Sequence, residues 1–102
     1  MQLPRPPPLP EAKLVPVIST AEAVVYLARA EAALRNGDVI GARSLYGRLA
    51  QSGDARGALG MARTYDEAEF KKMQVYGLKP DGGESERWRA RAREMTSAAG
   101  RN

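Results

Sequence analysis

The sequence predicts an all-α fold, a short α-solenoid of antiparallel helix pairs, from three observations. First, apolar residues recur with the helical period of about 3.6 residues from residue 20 onward. Second, Gly-Asp occurs at Gly37-Asp38 and again at Gly53-Asp54, the pattern of a helix stop followed by a helix N-cap. Third, small and large residues alternate on the apolar faces, as in helical-pair repeats. Because Gly-Asp turns are short, we expect neighbouring helices to pack antiparallel.

Residues 1–18 are predicted to form a Pro-rich extended linker, followed by a helical-repeat domain over residues 19–100. Six of the seven prolines of the chain lie in this segment, where each removes a backbone donor and restricts φ. A semi-rigid spacer is the favoured interpretation. The alternative is that Pro7-Pro8-Leu9-Pro10 docks in an aromatic groove that recognises proline-rich ligands.

Local signals place the first three helices at about residues 20–36, 38–52 and 54–65. Ser19 and Glu22 have the spacing of a capping box, which predicts the first helix start. Asn36-Gly37 predicts its end, since glycine tolerates the left-handed conformation that follows many helices. Asp38 and Asp54 are predicted to cap the second and third helices with their carboxylates.

Two more helices are predicted at about residues 67–76 and 82–99, with a loop rich in Gly and Pro between them. Asp66 with Glu69, and Asp81 with Glu84, each have capping-box spacing. The last helix carries four apolar residues along one face: Trp88, Ala92, Met95 and Ala99.

Two segments of the chain share a pattern, because a shift of 43 residues lays Leu45 on Trp88 and Leu49 on Ala92. Together with residues 61–65 (Met-Ala-Arg-Thr-Tyr) and the Gly-Asp junctions, these segments resemble the Sel1-like repeat, a relative of the tetratricopeptide repeat. The family elements are Leu-Gly-x-x-Tyr in the first helix and Ala-x-x-Trp-Tyr-x-x-Ala in the second. Here Leu45 stands in place of the usual Trp. The resemblance covers roughly residues 20–98.

The resemblance implies about two repeats, one formed by the first two helices and one by the third and last helices. It implies a bacterial, non-enzymatic scaffold or adaptor that binds other proteins. Nine residues are the implied structural anchors of the repeats: Ala42, Leu45, Tyr46, Leu49, Met61, Ala62, Tyr65, Trp88 and Ala92.

In helical-pair repeats the first helix of each pair lines the inner surface. The polar positions of the first and third helices are therefore the predicted partner contacts: Tyr26, Arg29, Arg56 and Arg63. A protein or peptide with acidic groups would suit these arginines. Two repeats also leave apolar ends exposed. We expect either that residues 66–80 pack across one end or that the chain self-associates.

An enzyme is not expected, because the chain has no histidine and no cysteine and shows no phosphate-binding loop. No cofactor or metal site is predicted. The acidic residues Asp66, Glu67 and Glu69 are interpreted as the first turn of a helix, with Lys71 as a salt partner. The sequence contains no run of about eighteen apolar residues, so no membrane span is predicted. The N-terminus lacks the apolar core of a secretory signal. The chain is compatible with a piece of a longer protein. The sequence does not indicate its cellular compartment.

Nucleic-acid binding is the main alternative function, carried by the Arg-rich last helix around Trp88, which could stack on a base. The favoured interpretation is that Trp88 is a core anchor and that the neighbouring arginines pair with Glu84, Glu86 and Glu94. The net charge of +4 is spread thinly along the chain, unlike the basic face of most nucleic-acid binders. A purely structural spacer domain is the third possibility.

Overall fold

The computed structural model describes residues 18–73, Val75 and residues 77–99, and all regular structure in this part of the chain is helical. Within these ranges five helices follow one another: α1 (Thr20–Arg35), α2 (Val39–Gln51), α3 (Ala55–Arg63), α4 (Glu67–Met73) and α5 (Gly82–Ala99). The predicted all-α class is confirmed. The proposed linker lies outside the described residues except for Ile18, which packs against the core beside α1. Gly100 also lies outside them.

The helix ends lie within three residues of the predicted ones, because the capping signals are local. The Asp38 carboxylate accepts a hydrogen bond from the Gly41 N–H at 2.9 Å, and the Asp54 carboxylate accepts one from the Arg56 N–H at 2.9 Å. Gly37 and Gly53 have φ of 78° and 94°, the left-handed conformation expected at each stop. Both Gly-Asp pairs therefore end one helix and begin the next.

Of the three predicted capping boxes, only the one at Ser19 forms, with the Glu22 N–H 3.1 Å from the Ser19 Oγ. The capping box predicted at Asp66 does not form, because the Asp66 N–H donates to the Arg63 carbonyl at 3.2 Å and the Glu69 carboxylate contacts Arg63 instead. The box at Asp81 is half formed. Its carboxylate accepts from the Glu84 N–H at 3.1 Å, while its own N–H donates to the Tyr65 carbonyl at 2.9 Å.

Helices α2 and α3 pack antiparallel and very closely. A Cβ on Gly57 would lie 2.6 Å from both the Leu49 Cβ and the Tyr46 carbonyl oxygen, so backbone meets backbone there. At the other end of the pair, the Arg43 Nη2 donates to the Thr64 carbonyl at 2.9 Å. Residue numbers thus fall along α2 as they rise along α3, which defines the antiparallel direction.

Helix α5 packs antiparallel on the other side of α3. The Ser85 hydroxyl, which is buried, donates to the Ala62 carbonyl at 2.9 Å, and further along the pair Ala58 packs against Ala92. Helices α1, α2, α3 and α5 therefore pack in chain order, each against the one before it.

The core has two parts that meet at Trp88. The first lies between α1, α2 and α3 and contains Ala23, Ala30, Leu34, Ala42, Tyr46, Leu49 and Met61. The second consists of Ala50, Ala58 and Ala92. Among the implied repeat anchors, Leu45, Tyr65 and Trp88 are half-buried and the others are buried.

Helix α4 covers the end of the fold at which α1 turns into α2. Phe70 is buried, Met73 packs against the first core, and a Cβ on Gly37 would lie 3.7 Å from the Met73 carbonyl oxygen. Helix α4 meets the α1–α2 turn and leaves Val24 and Val25 of α1 57% and 46% exposed, so packing across an apolar end and self-association both stay predictions.

Replacing Gly57 by alanine is expected to destabilise the fold by about 1–3 kcal/mol, because the new methyl group would displace the α2 backbone. The matched control is Gly47→Ala in α2. A Cβ at Gly47 would meet only the Met61 Sδ at 3.9 Å, so that variant is expected to gain about 0.5–1 kcal/mol from helix propensity. Urea unfolding of both variants checks the pair, and equal effects would contradict the close approach of α2 and α3.

Acid is expected to weaken the contact between α5 and the start of α4. The Asp66 carboxylate accepts from the Ala68 N–H at 2.8 Å and pairs with the Arg89 Nη2 at 2.6 Å. The Ala68 hydrogen bond and the Arg89 guanidinium lower the pKa of Asp66 below its usual range. A lowered folded-state pKa adds stability above the unfolded pKa of about 3.9, and that stability is lost as the pH falls.

The Asp66→Asn variant should therefore melt at a lower temperature than the wild type at pH 6, and the difference should shrink between pH 5 and about pH 2. Circular-dichroism melts over this pH range measure it. Glu67→Gln, on the exposed side of α4, controls for the change in net charge. A difference that stayed constant with pH would show that the Asp66 charge does not stabilise the fold.

Candidate functional site

A groove of about 290 Å³ runs between α1 and α3. Leu27 and Glu31, four residues apart, form its α1 wall. Its α3 wall is formed by Arg56, Leu59 and Arg63, which lie on one face of α3 because they are three and four residues apart. We call this feature the α1–α3 groove. Leu59 is 50% exposed, so one wall offers an apolar side chain between two guanidinium groups.

Tyr46 of α2 forms the floor of the α1–α3 groove where it meets Gly60 of α3. A Cβ on Gly60 would overlap the Tyr46 ring, so only glycine lets the ring lie flat against α3. Tyr46 is 1% exposed, and its hydroxyl has no hydrogen-bond partner among the described residues. Burial raises the pKa of Tyr46, so the hydroxyl stays protonated and able to donate at neutral pH.

A second recess, of about 330 Å³, continues past Arg63 toward α4. Leu34 and Arg35 of α1 form one side of it. Glu69, Lys72 and Met73 of α4 form the other. We call it the α4 recess. Arg63 lines both the α4 recess and the α1–α3 groove, which makes its guanidinium the group that the two have in common.

Basic side chains outnumber acidic ones along these two depressions. The cations are Arg35, Arg56, Arg63 and Lys72, against Glu31, Glu69 and the Asp54 partner of Arg56. Arg56 pairs with Asp54 at 2.7 Å and Arg63 contacts Glu69 at 3.4 Å, yet their side chains remain 53% and 45% exposed. Among the described residues, no carboxylate lies within 4 Å of the Arg35 or Lys72 nitrogens.

The structure brings only two of the four predicted partner contacts together. Arg56 and Arg63 are brought together in the α1–α3 groove. Tyr26 is half-buried, with the Arg48 guanidinium 5.4 Å from its ring centroid, and Arg29 is exposed on α1. Neither of these two lines the α1–α3 groove or the α4 recess.

Sequence reasoning missed three contributors: Arg35, Lys72 and the Tyr46 side chain. Arg35 had a usable signal, since it lies four residues after Glu31 on the same face of α1. Lys72 had none, because its position depends on how α4 docks. Tyr46 was assigned to the core alone, which is where its ring lies.

The Arg-rich last helix directs most of its polar groups toward its own chain. Trp88 is half-buried and packs against both parts of the core, and the Arg91 guanidinium lies 5.3 Å from its ring centroid. Arg87 pairs with Glu84 at 2.6 Å. Arg89 pairs with Glu86 at 3.0 Å as well as with Asp66. The expected pairing through Glu94 does not occur among the described residues.

The residues that the structure describes contain no group of three or more Asp or Glu side chains placed to hold a metal ion. None of the helices in this part of the chain combines the length and the apolar character needed to cross a membrane.

In comparisons with known proteins, no protein-family model, curated protein or solved structure matches this chain.

Removing the Tyr46 hydroxyl is expected to leave stability unchanged or to raise it by up to about 1 kcal/mol, because an unpartnered buried donor is lost without loss of packing. Tyr46→Ala should instead lower stability by about 3–5 kcal/mol through the cavity it leaves. Urea unfolding of Tyr46→Phe and Tyr46→Ala gives both values. A loss of more than about 1 kcal/mol in Tyr46→Phe would mean that the hydroxyl is bonded within the fold.

Proposed function

We propose that this chain is a protein–protein interaction scaffold without catalysis of its own, built from two Sel1-like helical pairs. Its partner would be another protein that supplies an acidic, extended segment to the α1–α3 groove. The observation that carries the proposal is the pair Arg56 and Arg63, which lie on one face of α3 with Leu59 between them and line an open groove.

The packing order supports the repeat part of the proposal. Helices α1 with α2, and α3 with α5, are two successive antiparallel pairs, and α4 is the inserted connection. The first helices of the two pairs, α1 and α3, are the two walls of the groove. This is the surface that the resemblance to Sel1-like repeats assigns to partner binding.

The dimensions favour an extended segment. From Arg56 to Arg63 the α3 wall runs along seven helical steps, which is about 10 Å. An extended chain advances roughly 3.3 Å per residue, so three or four ligand residues would span it. Carboxylates at this spacing could pair with Arg56 and Arg63 while an apolar residue between them meets Leu59.

The geometry of α5 weighs against the nucleic-acid alternative. Trp88 is engaged with both parts of the core, and two of the neighbouring arginines are held in ion pairs. Stacking on a base requires a free aromatic face. A structural spacer domain remains the simpler competitor, and it is distinguished by binding nothing.

Selection from a random twelve-residue peptide library tests the proposal. The wild-type chain is expected to enrich peptides in which acidic residues flank an apolar one. The Arg56→Gln/Arg63→Gln variant should lose this consensus, because it removes two guanidinium groups from the groove and leaves the wall intact. Sequencing of the bound pool, followed by isothermal titration with the enriched peptides, measures the effect.

The control variant is Arg91→Gln/Arg93→Gln, which removes the same charge from exposed positions on α5. It should select the same peptides as the wild type. If it lost the consensus while Arg56→Gln/Arg63→Gln kept it, binding would lie on α5 and the proposed site would be wrong. If the wild type enriched no peptide, the scaffold function in this groove would be contradicted.

A further inference from the structure

We propose that two copies of this chain form a symmetric dimer in which their α1 helices pack antiparallel about a two-fold axis. The surface involved is the side of α1 that turns away from the core, formed by Ala21, Val25, Ala28 and Ala32. We call it the outer face of α1. None of its residues lines the α1–α3 groove, so the inference goes beyond the proposed scaffold function and does not depend on it.

The outer face of α1 is apolar and open to solvent. Its four residues recur at intervals of four, three and four, so they lie along one side of the helix. Val25 is 46% exposed, and Val24 beside it is 57% exposed. This spacing is the one by which helices pack side by side in coiled coils. A contiguous apolar face of this kind marks a contact surface.

Two charged residues on one flank of the outer face fit a second copy of the same helix. Glu22 and Arg29 follow Ala21 and Ala28 by one residue each, so both lie on the same flank. Within the described residues neither of them forms an ion pair. When identical helices pack antiparallel, each flank meets the same flank of the other copy. Glu22 then faces Arg29 of the second copy, and the two-fold axis repeats this pair.

The charges favour the antiparallel orientation over the parallel one. On the other flank, an antiparallel pair brings Val24 opposite Glu31 of the second copy, so no like charges meet. A parallel pair would set each flank against the opposite flank of the other copy, with Arg29 facing Val24. Glu22 and Arg29 would then both lack an opposite charge. Flanking charges are the features that fix orientation in paired helices.

A recess beside the outer face provides a place for the arginine of the second copy. The recess has a volume of about 320 Å³ and is lined by Ala21, Glu22, Val25 and Tyr26. When Val25 packs against Ala28 of the second copy, Arg29 of that copy comes level with the middle of this recess. Its apolar stem would lie over Val25 and Tyr26, and its guanidinium would reach the Glu22 carboxylate.

The size of the side chains sets the geometry and the strength of the contact. Three of the four residues on the outer face are alanines, so the helices can approach to the short end of the roughly 8–10 Å interaxial range. A contact made by one helix from each copy is smaller than the roughly 1,600 Å² of a standard interface. We therefore expect a weak dimer, with a dissociation constant on the order of 10–100 µM.

Sedimentation equilibrium of the full chain between about 10 and 500 µM tests the inference, and the wild type is expected to pass from monomer to dimer over this range. Val25→Glu places a carboxylate beside the two-fold axis in both copies and should weaken association roughly tenfold or more. The matched control is Ile40→Glu, because Ile40 is 61% exposed on α2 and the change is of the same kind. This control should dimerise like the wild type. Far-UV circular dichroism checks that both variants are folded.

Charge reversal tests the pairing itself. Glu22→Arg and Arg29→Glu each place like charges at both flank contacts of a homodimer, so each variant alone should associate roughly tenfold more weakly than the wild type. An equimolar mixture of the two variants should regain the association of the wild type. The reason is that a Glu22→Arg chain paired with an Arg29→Glu chain again has two contacts between opposite charges.

Three results would overturn the inference. The first is a wild type that stays monomeric up to about 500 µM. The second is an equal effect of Val25→Glu and Ile40→Glu, which would show that the outer face of α1 is not the specific contact. The third is a mixture that associates no more strongly than either charge variant alone, which would contradict the antiparallel pairing of Glu22 with Arg29. None of the substituted residues lines the α1–α3 groove, so peptide selection remains a separate measure of the proposed function.

Discussion

The close approach of α2 and α3 is the constraint on which the rest of the structure depends. Helix α3 has nine residues and turns Gly57 and Gly60 toward α2, where any larger side chain would meet the α2 backbone or the Tyr46 ring. So short a helix is not stable alone, and its stability comes from burial on both sides. The missing side chains let α3 bury itself between α2 and α5.

The carbonyl end of α3 is held by its neighbours. The Arg43 guanidinium donates to the Thr64 carbonyl, the Ser85 hydroxyl to the Ala62 carbonyl, and the Asp81 N–H to the Tyr65 carbonyl. These groups come from α2 on one side and from the start of α5 on the other. They satisfy acceptors that a helix end leaves open, and they fix the direction in which both neighbours run. The hydrogen bonds that orient α2 and α5 relative to α3 are therefore concentrated at the C-terminal end of α3.

What could be predicted from the sequence follows the range of the interactions. Helix starts at Asp38 and Asp54 depend on contacts two or three residues away, so their signals are local and were found. The capping box at Asp66 failed because Glu69 has a tertiary partner in Arg63, which local spacing cannot reveal. The residues of the candidate site divide in the same way, into those with a local signal and those that depend on tertiary packing. Arg56 and Arg63 were predicted from helical position, whereas the places of Lys72 and Tyr46 in the site depend on how α4 and α2 dock.

One side chain links the stability of the fold to the chemistry of the groove. The Tyr46 side chain belongs to the core and also lines the α1–α3 groove, and it can do both because Gly60 lacks a side chain that would displace the ring. A larger residue at position 60 would push the ring away from α3 and remove the floor. Phenylalanine at position 46 would keep the ring and remove only the donor. The Tyr46 ring thus contributes both to the packing of the core and to the shape of the groove.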